Sequence, residues 1–180
     1  MSKEKEKGKN NFWRFSTKSL CVTALFTAMN VAVTFFNIPV PGGHLYLNDV
    51  IIVTAAILLN PVEALIVGGL GAFLGDLMVY PVTMFYSFIV HGLQGFAVSV
   101  IAKYLIKNKP ALSAVIGCFI GAVIMVGGYT FFRALFYSTP EAAIIKLPFE
   151  ILQGATGFLG VVICFPLKIK KFYDDYFPKE

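Results

Sequence analysis

The sequence predicts an all-α integral membrane protein: six transmembrane helices, both termini cytoplasmic, and a pocket that opens outward. Three observations predict it. Of the 180 residues 57% are hydrophobic and 14% charged, with a mean hydropathy of +0.75, well outside the balance of a soluble domain. Apolar runs of roughly twenty residues, the length that crosses a bilayer core, recur between short polar breaks. With six spans, thirteen of the fifteen basic residues fall on one face. These are Lys3, Lys5, Lys7, Lys9, Arg14 and Lys18, then Lys103, Lys107 and Lys109, then Lys168, Lys170, Lys171 and Lys179. Only Arg133 and Lys146 remain, and the positive-inside rule makes the basic face cytoplasmic.

The elements follow in order. Residues 1–15 read as a basic cytoplasmic tail, 16–170 as one six-helix membrane domain, and 171–180 as a second tail. The tail MSKEKEKGKNN is polar and charged, reads as disordered, and lacks the pattern of a cleaved signal. Trp13 and Phe15, beside Arg14 and Lys18, suit an interfacial anchor. Span one covers about 17–36 and stops at Asn37-Ile38-Pro39. The second, Val50 to Leu59, is about 15 Å long as a helix and is too short to cross unless tilted or partly re-entrant. Asn60-Pro61 starts the third, which is rich in glycine and ends near Tyr80, with Pro61 suited to a first helical turn. The fourth runs over about 83–106, and Lys107-Asn108-Lys109-Pro110 makes a basic loop. The fifth covers about 111–137 and the sixth about 141–166, with an interruption expected at Pro148.

Placed by depth, the polar residues gather at one level. His44, Tyr46, Asn48 and Asp49 sit in the loop after span one. Asp76 and Tyr80 end the third span, and Tyr86, His91 and Gln94 occupy the outer half and middle of the fourth. Tyr129 and Arg133 belong to the fifth, and Lys146, Glu150 and Gln153 to the sixth. Ionisable groups at membrane depth are costly unless they meet one another or water, so a shared water-accessible pocket is the economical arrangement. Each group also has a structural alternative. Arg133 and Glu150 make a possible ion pair between the last two spans, and Lys146 and Glu150 a possible pair along one helix face. His91 and Gln94 share a face for hydrogen bonding without a ligand. Asp76 suits a helix end in the headgroup region, and Asp49 a helix start. Glu63, in a first helical turn, suits the helix dipole.

Several function classes fall away. The sequence holds no glycine-flanked serine elbow, no paired-histidine zinc helix and no phosphate-binding Gly-Lys-Ser/Thr loop, so it assigns no catalytic residue, metal site or cofactor. Net charge is +5, but the basic residues lie in tails and one loop, so no nucleic-acid face forms. Cys21, Cys118 and Cys164 sit in separate apolar runs as packing residues. A self-sufficient secondary transporter or channel stays as the alternative, although the polar path through the inner half or the inverted repeat that it would want is not found. Gly71 and Gly75, Gly117 and Gly121, and Ala24 and Ala28 have the four-residue spacing of close helix contact.

Six spans in this length, a basic N-terminal tail, an Ala-x-x-x-Ala first helix, the loop leading into Leu47-Asn48-Asp49 and the segment GGLGAFLGD together resemble a family. It is that of the substrate-binding S components of energy-coupling factor (ECF) vitamin transporters. The resemblance implies capture of a water-soluble vitamin from outside, a transmembrane T component and two cytoplasmic ATPase subunits as partners, and residence in the cytoplasmic membrane of a bacterium. It implies that Ala24 and Ala28, with Ala32 extending the stripe, dock the T component, and that residues from about Pro41 to Asp49 form a lid. Among family members the sequence looks closest to those for pyridoxine or hydroxymethylpyrimidine, with the riboflavin type next.

Overall fold

In the computed structural model the described residues are 16–176. The tail with Trp13, Arg14 and Phe15, and the chain end with Lys179, lie outside the described residues. The elements are α1 (Thr17–Thr34), β1 (Ile38–Val40), β2 (Gly43–Leu45), α2 (Asn48–Leu58), α3 (Pro61–Val79), α4 (Met84–Tyr104), α5 (Pro110–Phe132), α6 (Pro140–Cys164) and α7 (Ile169–Tyr176). A single 3₁₀ turn precedes α4, and a π turn, Arg133–Tyr137, extends α5. Five helices, α1 and α3 to α6, are long and apolar enough to cross a membrane.

Local chemistry sets the helix ends. Asn60 and Glu63 close a reciprocal capping box at the start of α3, with Pro61 at the first helical position. Glu63 therefore has the structural role expected of it. Thr139 caps α6 by accepting from Ala142 N–H, again with a proline at the first position. Pro148 does not interrupt α6, which runs unbroken from Pro140 to Cys164. One missing N–H removes one bond of a long ladder, and a spanning helix tolerates that.

The short second span is the central post of the bundle. Ile52, Val53, Ala55, Ala56, Ile57 and Leu58 are all buried, and α2 touches α1, α3, α4 and α6. A helix apolar all round belongs in a core. Around it the backbones pack closely. A Cβ at Gly68 would lie 2.2 Å from the His91 carbonyl oxygen, so α3 and α4 meet main chain to main chain. A Cβ at Gly71 would lie 2.5 Å from Asn30 Nδ2, which donates to the Val67 carbonyl at 2.8 Å. Little hydrophobic drive joins helices in lipid, so such small-residue contacts carry much of the association.

The face that α1 turns inward is polar: Thr23, Thr27, Asn30 and Thr34. Three of the hydroxyls are satisfied within the helix, donating to the carbonyls of Ser19, Thr23 and Asn30. Ala24, Ala28 and Ala32 lie on the other side and are exposed. After α6 the chain forms α7, which spans residue 171. Its Tyr173 packs against the core, and Lys170 pairs with Asp174 at 2.9 Å.

Candidate functional site

The β1–β2 hairpin folds over one end of the bundle. Its turn is Pro41-Gly42-Gly43, with φ of +83° at Gly42 and +145° at Gly43, a backbone that glycine alone adopts without strain. Beneath it lies a cavity lined by Gly42, Gly43, His44, Tyr46, Asp76, Tyr80, Thr83, Met125, Tyr129, Arg133, Lys146, Glu150 and Gln153. Counted with its open mouth, the space is about 480 Å³. Residues from α3, α5, α6 and the hairpin thus converge at a single level.

The charged groups of the wall are ordered by one another. Arg133 Nη2 lies 3.4 Å from Glu150 Oε1, and Arg133 Nη1 donates to the Gly42 carbonyl at 2.9 Å. The same guanidinium stands 5.2 Å from the centroid of the Tyr137 ring. Glu150 Oε2 accepts from Thr130 at 3.1 Å. Arg133 therefore ties the hairpin turn to α6. The Arg133–Glu150 pair forms, whereas Lys146 makes no ion pair among the described residues.

Asp76 is held from α4. Its Oδ2 accepts from Thr83 at 2.7 Å and from Ser87, and Ser87 Oγ also meets Tyr129 Oη at 2.5 Å. In the hairpin-to-α2 connection, burial and the Asp76 carboxylate push the Tyr46 hydroxyl well above the ordinary phenol range, so it stays a neutral donor.

Nine of the residues expected at the site share this wall: His44, Tyr46, Asp76, Tyr80, Tyr129, Arg133, Lys146, Glu150 and Gln153. Five do not. Asn48 and Asp49 belong to the first turn of α2, not to the loop, and both are buried. Asn48 Nδ2 donates to Thr34 Oγ1 at 2.9 Å, which ties α2 to α1. Asp49 accepts from Gln94 Nε2, and from Gln153 Nε2 at 3.0 Å. Gln94 Oε1 is 2.7 Å from His91 Nδ1, so that nitrogen carries the proton. His91, Gln94 and Asp49 form a buried polar layer that meets the wall through Gln153 and through the His91 ring, 5.4 Å from that of Tyr129. Tyr86 points elsewhere, stacking on Phe132 and Tyr137 with centroids 4.8 and 5.3 Å apart.

Thr83, Ser87, Thr130 and Met125 were missed. A signal for the first two exists in the sequence: Thr83, Ser87, His91 and Gln94 recur at helical spacing and form the buried polar stripe of α4. Thr130 and Met125 carry no such signal.

Five helices long and apolar enough to cross a membrane, with a polar, hairpin-covered cavity at one end, define a multi-pass membrane protein. The chain belongs to the ECF S component family: the family described as ECF-type riboflavin transporter, S component, matches residues 14–171. That is a family of transporter subunits rather than enzymes. The chain is 34% identical over 155 residues to the thiamine precursor transporter HmpT of Lactococcus lactis subsp. cremoris (strain MG1363), covering 83% of this chain and 87% of that one. It is 28% identical over 134 residues to the "uncharacterized protein in gap 3'region" of Pyrococcus woesei, covering 73% and 88%. The fold matches that in "Structure and mechanism of the S component of a bacterial ECF transporter" with a TM-score of 0.69 and 20% identity, over 90% of this chain and 98% of the other.

Proposed function

We propose that this chain is the substrate-capture subunit of an ATP-driven ECF uptake transporter in the cytoplasmic membrane of a bacterium. Its ligand is a small water-soluble vitamin precursor, hydroxymethylpyrimidine or the similarly sized pyridoxine. The carrying observation is the cavity wall, where phenol, amide, carboxylate and cationic groups surround one space beneath the hairpin. Such a wall suits a small heteroaromatic ring whose edge bears amine or hydroxyl groups. Similarity to a thiamine precursor transporter supports the pyrimidine. The basic-residue asymmetry supports termini on the cytoplasmic side and a cavity that opens outward. Energy comes from partners, a T component and two ATPase subunits, with the exposed Ala24, Ala28 and Ala32 stripe as the docking face. A second reading, a riboflavin-type subunit, is favoured by the description of the matching family.

Purification followed by mass spectrometry of co-purifying small molecules tests both, with calorimetric titration for affinity. The expected result is retained hydroxymethylpyrimidine, or its stoichiometric binding on addition. A retained flavin, yellow and fluorescent, moves the assignment to riboflavin. Failure to bind any of the three ligands defeats the reading.

A further inference from the structure

Lys146 lies within the field of Glu150 and Asp76 but makes no direct contact with either. It lines the cavity, is 6% exposed, and its ammonium has neither a hydrogen bond nor an ion pair among the described residues. Arg133 has Glu150, the Gly42 carbonyl and the Tyr137 ring. Glu150, one turn from Lys146 on α6, pairs with Arg133 at 3.4 Å through Oε1 and accepts from Thr130 through Oε2, with no direct contact to Lys146. The Lys146 stem lies under the hairpin turn: a Cβ at Gly42 would stand 3.1 Å from Lys146 Cβ, and one at Gly43 would stand 3.4 Å from its Nζ. The turn thus shields the ammonium on one side and leaves it facing the cavity. An ammonium in a largely buried wall, attracted by Glu150 and Asp76 but hydrogen-bonded to neither, gains from an acceptor brought into the cavity. On α3 both hydroxyls that reach Asp76 go to Oδ2, so Oδ1 of this wall residue has no hydrogen bond among the described residues.

We infer that Lys146 reads the ligand: the bound molecule brings an accepting or anionic atom to the Lys146 ammonium and an N–H or O–H donor to Asp76 Oδ1. This rests on the proposed capture function and narrows its substrate class. A ring with an acceptor in its frame and a donor on its edge fits both gaps. Hydroxymethylpyrimidine meets that description through its ring nitrogens and exocyclic amine. A ring with donors alone would leave the cation uncompensated, so Lys146 is a specificity-determining residue.

The test compares two probes on two proteins. The probes are hydroxymethylpyrimidine and 2-amino-4-methylbenzyl alcohol, the same ring with both nitrogens replaced by carbon. The proteins are the full chain and its Lys146→Met variant, purified in detergent. The full chain is expected to bind the pyrimidine roughly ten- to a hundredfold more tightly than the carbocycle, the range of one lost charge-assisted hydrogen bond. Lys146→Met is expected to bind the two alike, both at the weaker level, while the ligand-free variant melts no lower than the full chain. A Met variant that still discriminates between the rings, or that melts lower without ligand, overturns the inference, because Lys146 then serves the fold. If the full chain binds neither ring, the vitamin-precursor assignment fails separately. The ligand-free melting comparison still decides whether Lys146 is an unpartnered cation.

Discussion

Gln153 donates to Asp49 Oδ2 at 3.0 Å across 104 residues of sequence. The contact joins the cavity wall on α6 to the buried first turn of α2. Gln153 Oε1 also accepts from the Tyr46 N–H at 3.2 Å. One amide therefore connects the end of the hairpin, the wall and the polar layer through Asp49 to Gln94 and His91. Cavity shape and core stability are coupled here, and they separate farther up the wall.

Asp49→Ala should act through the fold. It leaves the Gln94 and Gln153 amides without their acceptor, at a cost of about 1–3 kcal/mol for each unsatisfied group. Melting temperature and ligand affinity should fall together. Tyr80→Ala, at an exposed wall position, should weaken binding with little change in melting. Normal melting of Asp49→Ala would remove Asp49 from the core network.

Arg133 and Glu150 are buried together, so either single alanine variant should lose about 3–5 kcal/mol of stability as well as affinity. The double variant Arg133→Met/Glu150→Gln should recover much of the melting temperature but not the binding. Recovery of both in a thermal-shift and titration series would make the pair purely structural.

Gly42→Ala puts a Cβ 3.1 Å from Lys146 Cβ at a backbone φ of +83°, which costs on the order of 1 kcal/mol or more. The strain sits in the hairpin that covers the cavity. Ligand release, followed by stopped-flow, should accelerate by several fold while the melting temperature of the ligand-free protein falls by only about 2–4 °C. An unchanged release rate would show that the turn does not retain the ligand.

Ala28 is exposed on α1, so Ala28→Trp should leave the purified chain folded and its affinity unaltered. Uptake in cells carrying a T component and ATPases should nevertheless collapse, because close approach over small residues is blocked. A fall in affinity and stability together, of about 1–3 kcal/mol, would place the stripe in an internal contact instead. Uptake that persists without any T component or ATPase would defeat the subunit assignment.

Single-cysteine labelling in a cysteine-free background checks the sidedness. Positions at Lys109 and Lys179 should react from the cytoplasmic side, and those at His44 and Thr139 from outside. Outside reaction at Lys109 reverses the cavity.

Depth was legible in the sequence. Span lengths and polar breaks foretold the five long helices, the undersized α2 and the capped start of α3 at Asn60-Pro61. Asp76, Tyr129, Arg133 and Glu150, grouped by the span pattern, line one cavity. Rotation about each helix axis was not legible. In lipid the outward and inward faces of a helix are both apolar, so little periodicity says which residue turns in. Tyr86 and Ser87 differ by about 100° on α4, yet one stacks outward on Phe132 while the other holds Asp76. The choice of partner was equally hidden: helical spacing offered Glu150 to Lys146, but the crossing of α5 and α6 gave it to Arg133. Only the packed backbones, brought together at Gly68 and Gly95, decide which polar groups satisfy one another and which remain facing the cavity.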